Sequence, residues 1–279
     1  MTYEKVLCGV DKLRNLKQWV NYLLKTADKG ELKQNKSLKG ILNGKRCFIL
    51  GNGPSLKEQN LIGLKNEFVI TVNNAGKNSF FNDINSNIHI WEDHAFFALS
   101  DSKEEILKRF TNVNTEFNKP ITFIPLREKE FVDKYKLYEK IDIRFYNPIY
   151  IFHSDYNVNI DYTKGVPGFF TVVGEAIVLA IYLGAKEIYL LGCDCTSILT
   201  KLSTIMSEVE PQYSFEMGYK ERKYFDDMKL KDAFYTQYQV ISQYEMLNKY
   251  CKKNNVELIN STHGGVLDNI KRIPLEELF

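Results

Sequence analysis

The stretch RCFILGNGPSL, residues 46–56, decides the fold because a short apolar run meets a tight polar turn within it. Residues 47–50 are continuously apolar, as expected of a parallel strand that is buried on both faces. The turn GNGPS, residues 51–55, combines two glycines with a proline and so favours a sharp change of chain direction. A buried strand that ends in such a turn predicts the first strand–loop–helix unit of an α/β domain.

Further segments along the chain continue this alternation of strand and helix. The predicted strands are FVITVNNA (68–75), IHIW (88–91), ITFIPL (121–126), IRFYN (143–147), EIYLLGCD (187–194) and VELINST (256–262). The predicted helices are 103–110, 131–141, 168–185 and 231–253. The alternation predicts an α/β, Rossmann-like fold with a mainly parallel sheet flanked by helices.

Two segments depart from the alternation. Residues 3–27 carry Val and Leu at helical spacing between basic residues, and residues 28–40 are polar and lysine-rich like a linker. We therefore expect residues 1–40 to form an amphipathic, basic N-terminal helix and linker. Residues 41–279 are predicted to form a Rossmann-like nucleotide-binding catalytic domain. Within it, residues 196–230 lack a strong period and are predicted to form a lid.

The charge of the chain is small but uneven. The net charge of +2 gives no general case for nucleic-acid binding, yet residues 1–46 hold eleven Lys/Arg and four Asp/Glu. Such a segment is typical of a solvated helix face. It is also compatible with peripheral contact to an anionic inner membrane or with a second subunit, so a homo-oligomer stays an open alternative.

Cysteine usage and hydropathy bear on the compartment. The five cysteines are an odd number without a disulfide framework, and the Cys193–Cys195 pair lacks the further ligands of a zinc site. No apolar run is long enough to span a bilayer, and no signal peptide opens the chain. These features predict a cytoplasmic protein with reduced thiols.

Polar residues follow the predicted strands, at the edge where α/β proteins bind ligands. In GNGPS the glycines permit positive φ and close approach to a ligand, Ser55 can cap the next helix, and Asn52 offers an amide. The turn lacks the lysine of a Walker loop and the third glycine of a dinucleotide motif. The predicted nucleotide-binding residues are Gly51, Asn52, Gly53, Pro54, Ser55, Asn73, Asn74, Gly168, Phe169, Thr171, Gly192 and Asp194.

Acid–base candidates lie in two places. Glu92, Asp93 and His94 follow the strand IHIW, where they suit acid–base work or, as a structural alternative, a helix cap beside a surface histidine. His263 precedes a glycine pair after the last strand and is either catalytic or structural. No Asp-x-Asp pair occurs, so we predict no metal site; Asp194 alone is poor support for Mg²⁺.

Taken together, several segments resemble a known superfamily. FILGNGPSL, VNNA and GFFTVVGEAIVLAIYLGAKEIYLLGCD resemble the corresponding segments of bacterial lipooligosaccharide sialyltransferases. They are also similar to motility-associated flagellin glycosyltransferases and archaeal-type 6-hydroxymethylpterin diphosphokinases, toward which the ending INSTHGGVLDNIKRIPLEELF leans. The resemblance covers roughly residues 45–279 and specifies the superfamily better than the reaction.

The sialyltransferase resemblance implies a metal-independent, inverting transfer of a sugar from a CMP-activated donor to a surface glycan, without a further cofactor. It implies nucleotide contacts for Asn52 and for Asn73 or Asn74, and cytidine and ribose contacts for residues 168–171. It also implies that tyrosines contact the leaving phosphate. The tyrosines available for this role are Tyr213, Tyr219 and Tyr224.

One departure from that family leaves the base open. Residues 196–230 contain no histidine, although the sialyltransferases use a lid histidine as the base. The candidates that could replace it are His263, His94, Asp93, Asp226 and Asp227. Two other functions remain: an ATP- and Mg²⁺-dependent pterin diphosphokinase with Asp93 and Asp194 near the metal, or a catalytically silent nucleotide-binding homologue.

Overall fold

One parallel sheet organises the part of the chain that this computed structural model describes, namely residues 29–98, 101–115, 118–152, 160–210, 213–214 and 219–279. Within these ranges the sheet has eight strands, and every neighbouring pair is parallel. The strands are β1 (Arg46–Leu50), β2 (Val69–Val72), β3 (Ser86–Ile90), β4 (Ile121–Pro125), β5 (Ile143–Ile151), β6 (Gly165–Gly168), β7 (Glu187–Leu191) and β8 (Glu257–Asn260). The predicted α/β, Rossmann-like class is confirmed.

Helices connect the strands and cover the sheet. Those in the described residues are α1 (Lys29–Lys33), α2 (Ala95–Ala98), α3 (Lys103–Thr111), α4 (Lys129–Tyr135), α5 (Val172–Tyr182), α6 (Ser197–Ser203), α7 (Tyr219–Asp227) and α8 (Leu230–Lys253). Each of the four helices predicted from residue 103 onward has a counterpart among them. The ends of α3 and α8 agree with the prediction to within one residue, and those of α4 and α5 differ by two to six residues. None of these helices is long and apolar enough to cross a membrane.

The strand order places the first strand inside the sheet. The order is β6-β5-β4-β3-β2-β1-β7-β8, so the chain adds strands outward from β1 to β6 and then returns to pair β7 with the free side of β1. The direction of winding therefore reverses between β1 and β7. In open α/β sheets such a reversal opens a crevice at the carboxyl ends of the two strands, where ligands bind.

The core forms because the central strands and α5 are apolar on all sides. Residues 47–50 of β1 are buried, and α5 is buried along nearly its whole length. Glu175 is an ionisable residue in this apolar helix. It is fully buried and accepts a hydrogen bond from the hydroxyl of Tyr162. Burial raises the pKa of Glu175 well above its ordinary value, which favours the neutral form of this carboxyl in the core.

The predicted linker at residues 28–40 is wrong where the structure describes it. Leu32 is fully buried, and Asn35 is buried with its amide donating to the carbonyls of Phe145 and Tyr162, at 2.8 and 2.9 Å. Residues 29–40 are therefore part of the α/β domain and do not form a boundary at residue 41. The predicted helix at residues 3–27, with its expected membrane contact, lies outside the described residues.

Two further expectations change. No strand is predicted at residues 165–168, but β6 begins at Gly165 and extends the sheet beyond β5. The predicted lid, residues 196–230, contains the helices α6 and α7 in its described part. Lys201 of α6 is buried and donates to the carbonyls of Phe225 and Asp226, which ties the two lid helices together.

Candidate active site

A cavity of about 650 Å³ opens at the carboxyl ends of the strands, above the reversal between β1 and β7. We call it the central cavity. Its walls are the loops that follow β1, β2, β3, β4 and β7, the start of α5, the lid and one face of α8. The predicted residues that line it are Gly51, Asn52, Gly53, Asn73, Asp93, His94, Gly168, Phe169, Thr171, Gly192, Asp194 and Tyr224.

The glycine wall, formed by residues 51–55 and 192–195, is closely packed within itself. The amide of Gly53 donates to the carbonyl of Gly192 at 2.8 Å. A Cβ on Gly53 would collide with the carboxylate of Asp194 and would lie 2.7 Å from the Gly192 oxygen. Gly53 has a φ of −71°, so the expected positive φ is wrong at this residue. The absence of a side chain is required here because the two loops touch.

Asp194 joins the same two loops through its carboxylate. Its Oδ2 accepts from the hydroxyl of Ser55 at 2.8 Å, and its Oδ1 accepts from the Ser55 amide at 3.2 Å. Asp194 therefore caps the short turn Pro54–Glu58 from the loop after the neighbouring strand β7, and the expectation that Ser55 is the cap is wrong. Burial raises the pKa of Asp194, which outweighs the opposite effect of the bonds from Ser55.

Two asparagines shape the floor of the cavity. The amide nitrogen of Asn52 donates to the Val72 carbonyl at 3.1 Å, while its Oδ1 is buried without a hydrogen-bond partner among the described residues. Asn73 lies at a φ of +46°, and its Oδ1 accepts from the amide of Glu92 at 3.2 Å. Asn74 is buried and does not line the cavity. Asn52 and Asn73 are thus the pair that a ligand can reach.

The start of α5 closes one side of the cavity. Thr171 is its N-cap, with the hydroxyl accepting from the Val173 amide at 3.4 Å. The Phe170 amide donates to Gln243 of α8 at 2.6 Å, and the Phe170 ring remains 42% exposed on the cavity wall. An exposed aromatic ring of this kind is a surface on which a nucleobase can stack.

The acid–base wall is formed by residues 92–94 and 127–128, after β3 and β4. Glu92 is half-buried, and burial raises its pKa to about 7 against an opposing effect of Arg127. Nδ1 of His94 lies 2.8 Å from Oε1 of Glu128, which is buried. Arg127 donates through Nε to the same oxygen at 3.0 Å and through Nη2 to the Glu92 carbonyl at 2.8 Å.

The structure favours the role of a helix cap for Asp93 over an acid–base role. Its Oδ1 accepts from the Ala95 amide at 2.9 Å, so it caps the start of the short helix α2. The side chain is exposed and still lines the cavity. It is positioned to contact a ligand but is partly engaged by the backbone.

The lid contributes tyrosines. Tyr224 is 60% exposed and lines the cavity together with Tyr213. The backbone amide of Ser214 donates to the Asn52 carbonyl at 3.0 Å, which links the lid to the glycine wall. Tyr219 begins α7, but its side chain lies outside what the structure describes.

His263 is separate from this assembly. It lines a smaller cavity of about 180 Å³ together with Gln59 and Arg272, and its Nε2 lies 3.5 Å from a carboxylate oxygen of Glu58. Gly265, two residues later, has a φ of +75° and packs against the backbone of Asp194, whereas His263 itself does not line the central cavity. The structure does not bring His263 together with the other candidates.

No group of three potential metal ligands occurs in the described part of the chain. Two residues of the acid–base wall, Arg127 and Glu128, are absent from the site residues predicted from the sequence. Both directly follow the predicted strand ITFIPL, so the rule that ligands bind beyond strand carboxyl ends could have indicated them.

The chain is similar to a MAf glycosyltransferase from Magnetospirillum magneticum AMB-1, with 14% identity and a TM-score of 0.45, covering 88% of this chain and 38% of that one. It thus spans well under half of that protein. It is also similar to the sialyltransferase CstII from Campylobacter jejuni, solved with the substrate analogue CMP-3FNeuAc, with 17% identity and a TM-score of 0.47. That match covers 82% of this chain and 86% of the other.

No curated protein sequence matches the chain. A family model does, over residues 13–198, which is more than half of the chain and includes the glycine wall, both asparagines and the acid–base wall. The chain belongs to the 6-hydroxymethylpterin diphosphokinase MptE-like family.

Proposed function

We propose that the chain is a metal-independent, inverting glycosyltransferase that takes a sugar from a CMP-activated donor and transfers it to a surface glycan. The observation that carries this proposal is the division of the central cavity into two unlike walls. The side formed by the glycine wall and the start of α5 offers Asn52 and the exposed ring of Phe170, whereas the acid–base wall offers the ionisable side chains of residues 92–94 and 127–128. A nucleotide suits the first wall and a reacting sugar suits the second.

The distance between the walls supports a donor of this size. β1 and β3 are separated by β2 alone, and neighbouring strands lie about 4.8 Å apart, so the two strand ends lie roughly 10 Å from each other. A nucleoside monophosphate bound beside β1 and β7 places its attached sugar over β2 and β3. Asn73, which lies between the walls, is then close to the phosphate and the sugar.

The charges of the lining support a donor with one leaving phosphate. Arg127 is the one Lys or Arg side chain on the cavity wall within the described residues, and Glu92 and Asp93 lie beside it. A single guanidinium with neutral amides and tyrosine hydroxyls complements one phosphate. A triphosphate would bring about four negative charges to this wall.

The chemistry required of the residues is modest. A base takes the proton of the acceptor hydroxyl while its oxygen bonds to the anomeric carbon, and the bond from that carbon to the phosphate oxygen breaks. The transition state resembles an oxocarbenium ion, so positioning and charge complementarity dominate. Tyr224 and Tyr219 are proposed to donate to the leaving phosphate, and His94 and Asp93 are the candidate bases on the wall.

The family description favours a second candidate, an ATP-dependent 6-hydroxymethylpterin diphosphokinase. That reaction calls for Mg²⁺, with Asp93 and Asp194 as its predicted ligands. Asp194 already accepts two hydrogen bonds from Ser55, and Asp93 caps α2. These carboxylates do not fit a preassembled Mg²⁺ site, and no step of the proposal uses a metal.

A thermal-shift panel separates the candidates, because a ligand that binds only the native state raises its melting temperature. The panel compares CMP, CDP, UDP, GDP and ATP, each with Mg²⁺ and with EDTA. We expect the largest shift with CMP and no effect of EDTA. A shift with ATP and Mg²⁺ alone would contradict the transferase and favour the diphosphokinase. A CMP shift without release of CMP from any CMP-sugar would indicate a catalytically silent homologue.

A further inference from the structure

The acid–base wall contains a histidine held by a buried carboxylate. His94 is 69% exposed at its side chain and lines the central cavity, whereas Glu128 is 6% exposed. Among the described residues, the ring of His94 has one hydrogen-bond partner, Oε1 of Glu128, which lies 2.8 Å from Nδ1. The imidazole is thus fixed at one nitrogen and free at the other.

The partner of Nδ1 sets the tautomer of the ring. An ionised carboxylate only accepts hydrogen bonds, so Nδ1 must carry the proton in the bond to Glu128. In the neutral imidazole Nε2 then has the free lone pair. A base needs such a lone pair on the nitrogen that faces the substrate, and a carboxylate on the opposite nitrogen is the arrangement that orients histidines in nucleophile–base pairs.

The surroundings hold Glu128 in place. Burial of an unpaired carboxylate is costly, but Oε1 of Glu128 receives a second hydrogen bond from the guanidinium of Arg127 at 3.0 Å. Arg127 also donates to the Glu92 carbonyl, so it ties the loop after β4 to the loop after β3 that carries His94. The neighbouring Asp93 has one oxygen engaged by the Ala95 amide and is less suited to be the base.

We propose that Glu128 is the positioning residue of this transferase and that it holds His94, through Nδ1, as the general base. In the reaction Nε2 of His94 takes the acceptor hydroxyl proton as the oxygen bonds to the anomeric carbon. The bond from that carbon to the phosphate breaks, and its electron pair leaves with the nucleotide. This inference rests on the proposed glycosyltransferase function.

The first test reads the tautomer and does not need turnover. The ¹⁵N shifts of the His94 ring, assigned by comparison with His94→Gln, are recorded at a pH where the ring is neutral. We expect the Nδ1–H form in the wild type, the same form in Glu128→Gln, which keeps an acceptor, and a mixture in Glu128→Ala. The Nε2–H form in the wild type, or no change in Glu128→Ala, overturns the positioning role.

The second test is kinetic and uses the full chain with a CMP-sugar that it turns over. We expect His94→Gln to lower kcat by about 100-fold or more and Glu128→Ala by about tenfold or more, both with little change in KM. Glu128→Gln should recover part of the loss. Glu130→Ala is the matched control, because Glu130 is exposed on α4 and does not line the cavity. Full turnover by His94→Gln overturns the base role.

Failure of the proposed glycosyltransferase function gives a different result from failure of the His94 base role alone. If wild-type protein binds no CMP and releases none from any donor, the glycosyltransferase proposal fails, and the base role fails with it even where the tautomer result is as expected. If the wild type turns over and His94→Gln is equally active, only the base role fails. Melting temperatures of all variants exclude unfolding as the cause of lost activity.

Discussion

The glycine wall and the acid–base wall face each other across one cavity and differ in how their polar groups are used. On the glycine wall, the Gly53 amide donates to Gly192, Ser55 donates to Asp194, and a Cβ at Gly53 has no room. On the acid–base wall, His94 and Arg127 each keep part of their hydrogen-bonding capacity toward the cavity. The motif most visible in the sequence is therefore largely a scaffold, and the groups free for chemistry lie opposite it.

The largest expected effect breaks the scaffold. Gly53→Ala places a methyl group against the Asp194 carboxylate and should lower the free energy of unfolding by about 3 kcal/mol through overpacking. Urea denaturation followed by circular dichroism measures it. Gly30→Ala is the matched control, since a Cβ there meets nothing within 4 Å in the helix α1, and it should leave stability equal or slightly higher. Equal stability of Gly53→Ala would contradict the close packing of the two loops.

A second change tests Asn52, whose side-chain oxygen is buried on the glycine wall without a hydrogen-bond partner among the described residues. Asn52→Ala removes the unpaired Oδ1 and the amide beside the cavity, and should weaken CMP binding by about 1–3 kcal/mol. Isothermal titration calorimetry gives the affinity. Asn66→Ala, at an exposed asparagine away from the cavity, should leave it unchanged. Unaltered CMP affinity in Asn52→Ala would remove this residue from the binding site.

The third prediction concerns the acid–base wall and pH. Burial raises the folded-state pKa of Glu92 to about 7, so the folded protein holds this proton more tightly than the unfolded chain. The stability that protonated Glu92 contributes at low pH is therefore lost as the pH rises toward and through 7. From pH 5 to pH 8, Glu92→Gln should gain about 1–2 kcal/mol relative to the wild type. Urea midpoints across this range measure the gain, and Glu104→Gln, at an exposed helix position, should show none.

The smallest expected effect lies outside both walls. His263→Ala should change neither CMP affinity nor turnover, because His263 lines a separate cavity beside Glu58. Its stability should stay within about 0.5 kcal/mol of the wild type, since the side chain is 64% exposed. A large loss of kcat in this variant would return His263 to the list of catalytic candidates and would show that the loop moves during the reaction.

Most of the sheet could be predicted because its strands carry a local signal. The apolar run of β1 and the apolar helix α5 are visible in the sequence without any knowledge of their partners. β6 lacks such a signal, since GVPG has two glycines and a proline and is a strand only because it pairs with β5 at the sheet edge. Residues 29–40 have the polar composition of a linker. Asn35 is nevertheless buried because its amide donates to carbonyls more than 100 residues away, which local sequence does not reveal.

The candidate site shows the same limit. The position of GNGPS beyond β1 followed from the motif, but the engagement of Asp194 by Ser55 joins residues far apart in the chain. The pairing of His94 with Glu128 likewise depends on β3 and β4 lying side by side. Residue types and strand ends could be predicted from local sequence, whereas which polar group is already satisfied could not.

The contact between Gly53 and Asp194 has a consequence for how such sequences can vary. The absence of a side chain at Gly53 makes room for the carboxylate of Asp194, which Ser55 binds. A substitution at one of these three positions therefore affects the other two. In an alignment of relatives they should change together or remain together. A substitution at any one of the three alone should therefore be rare.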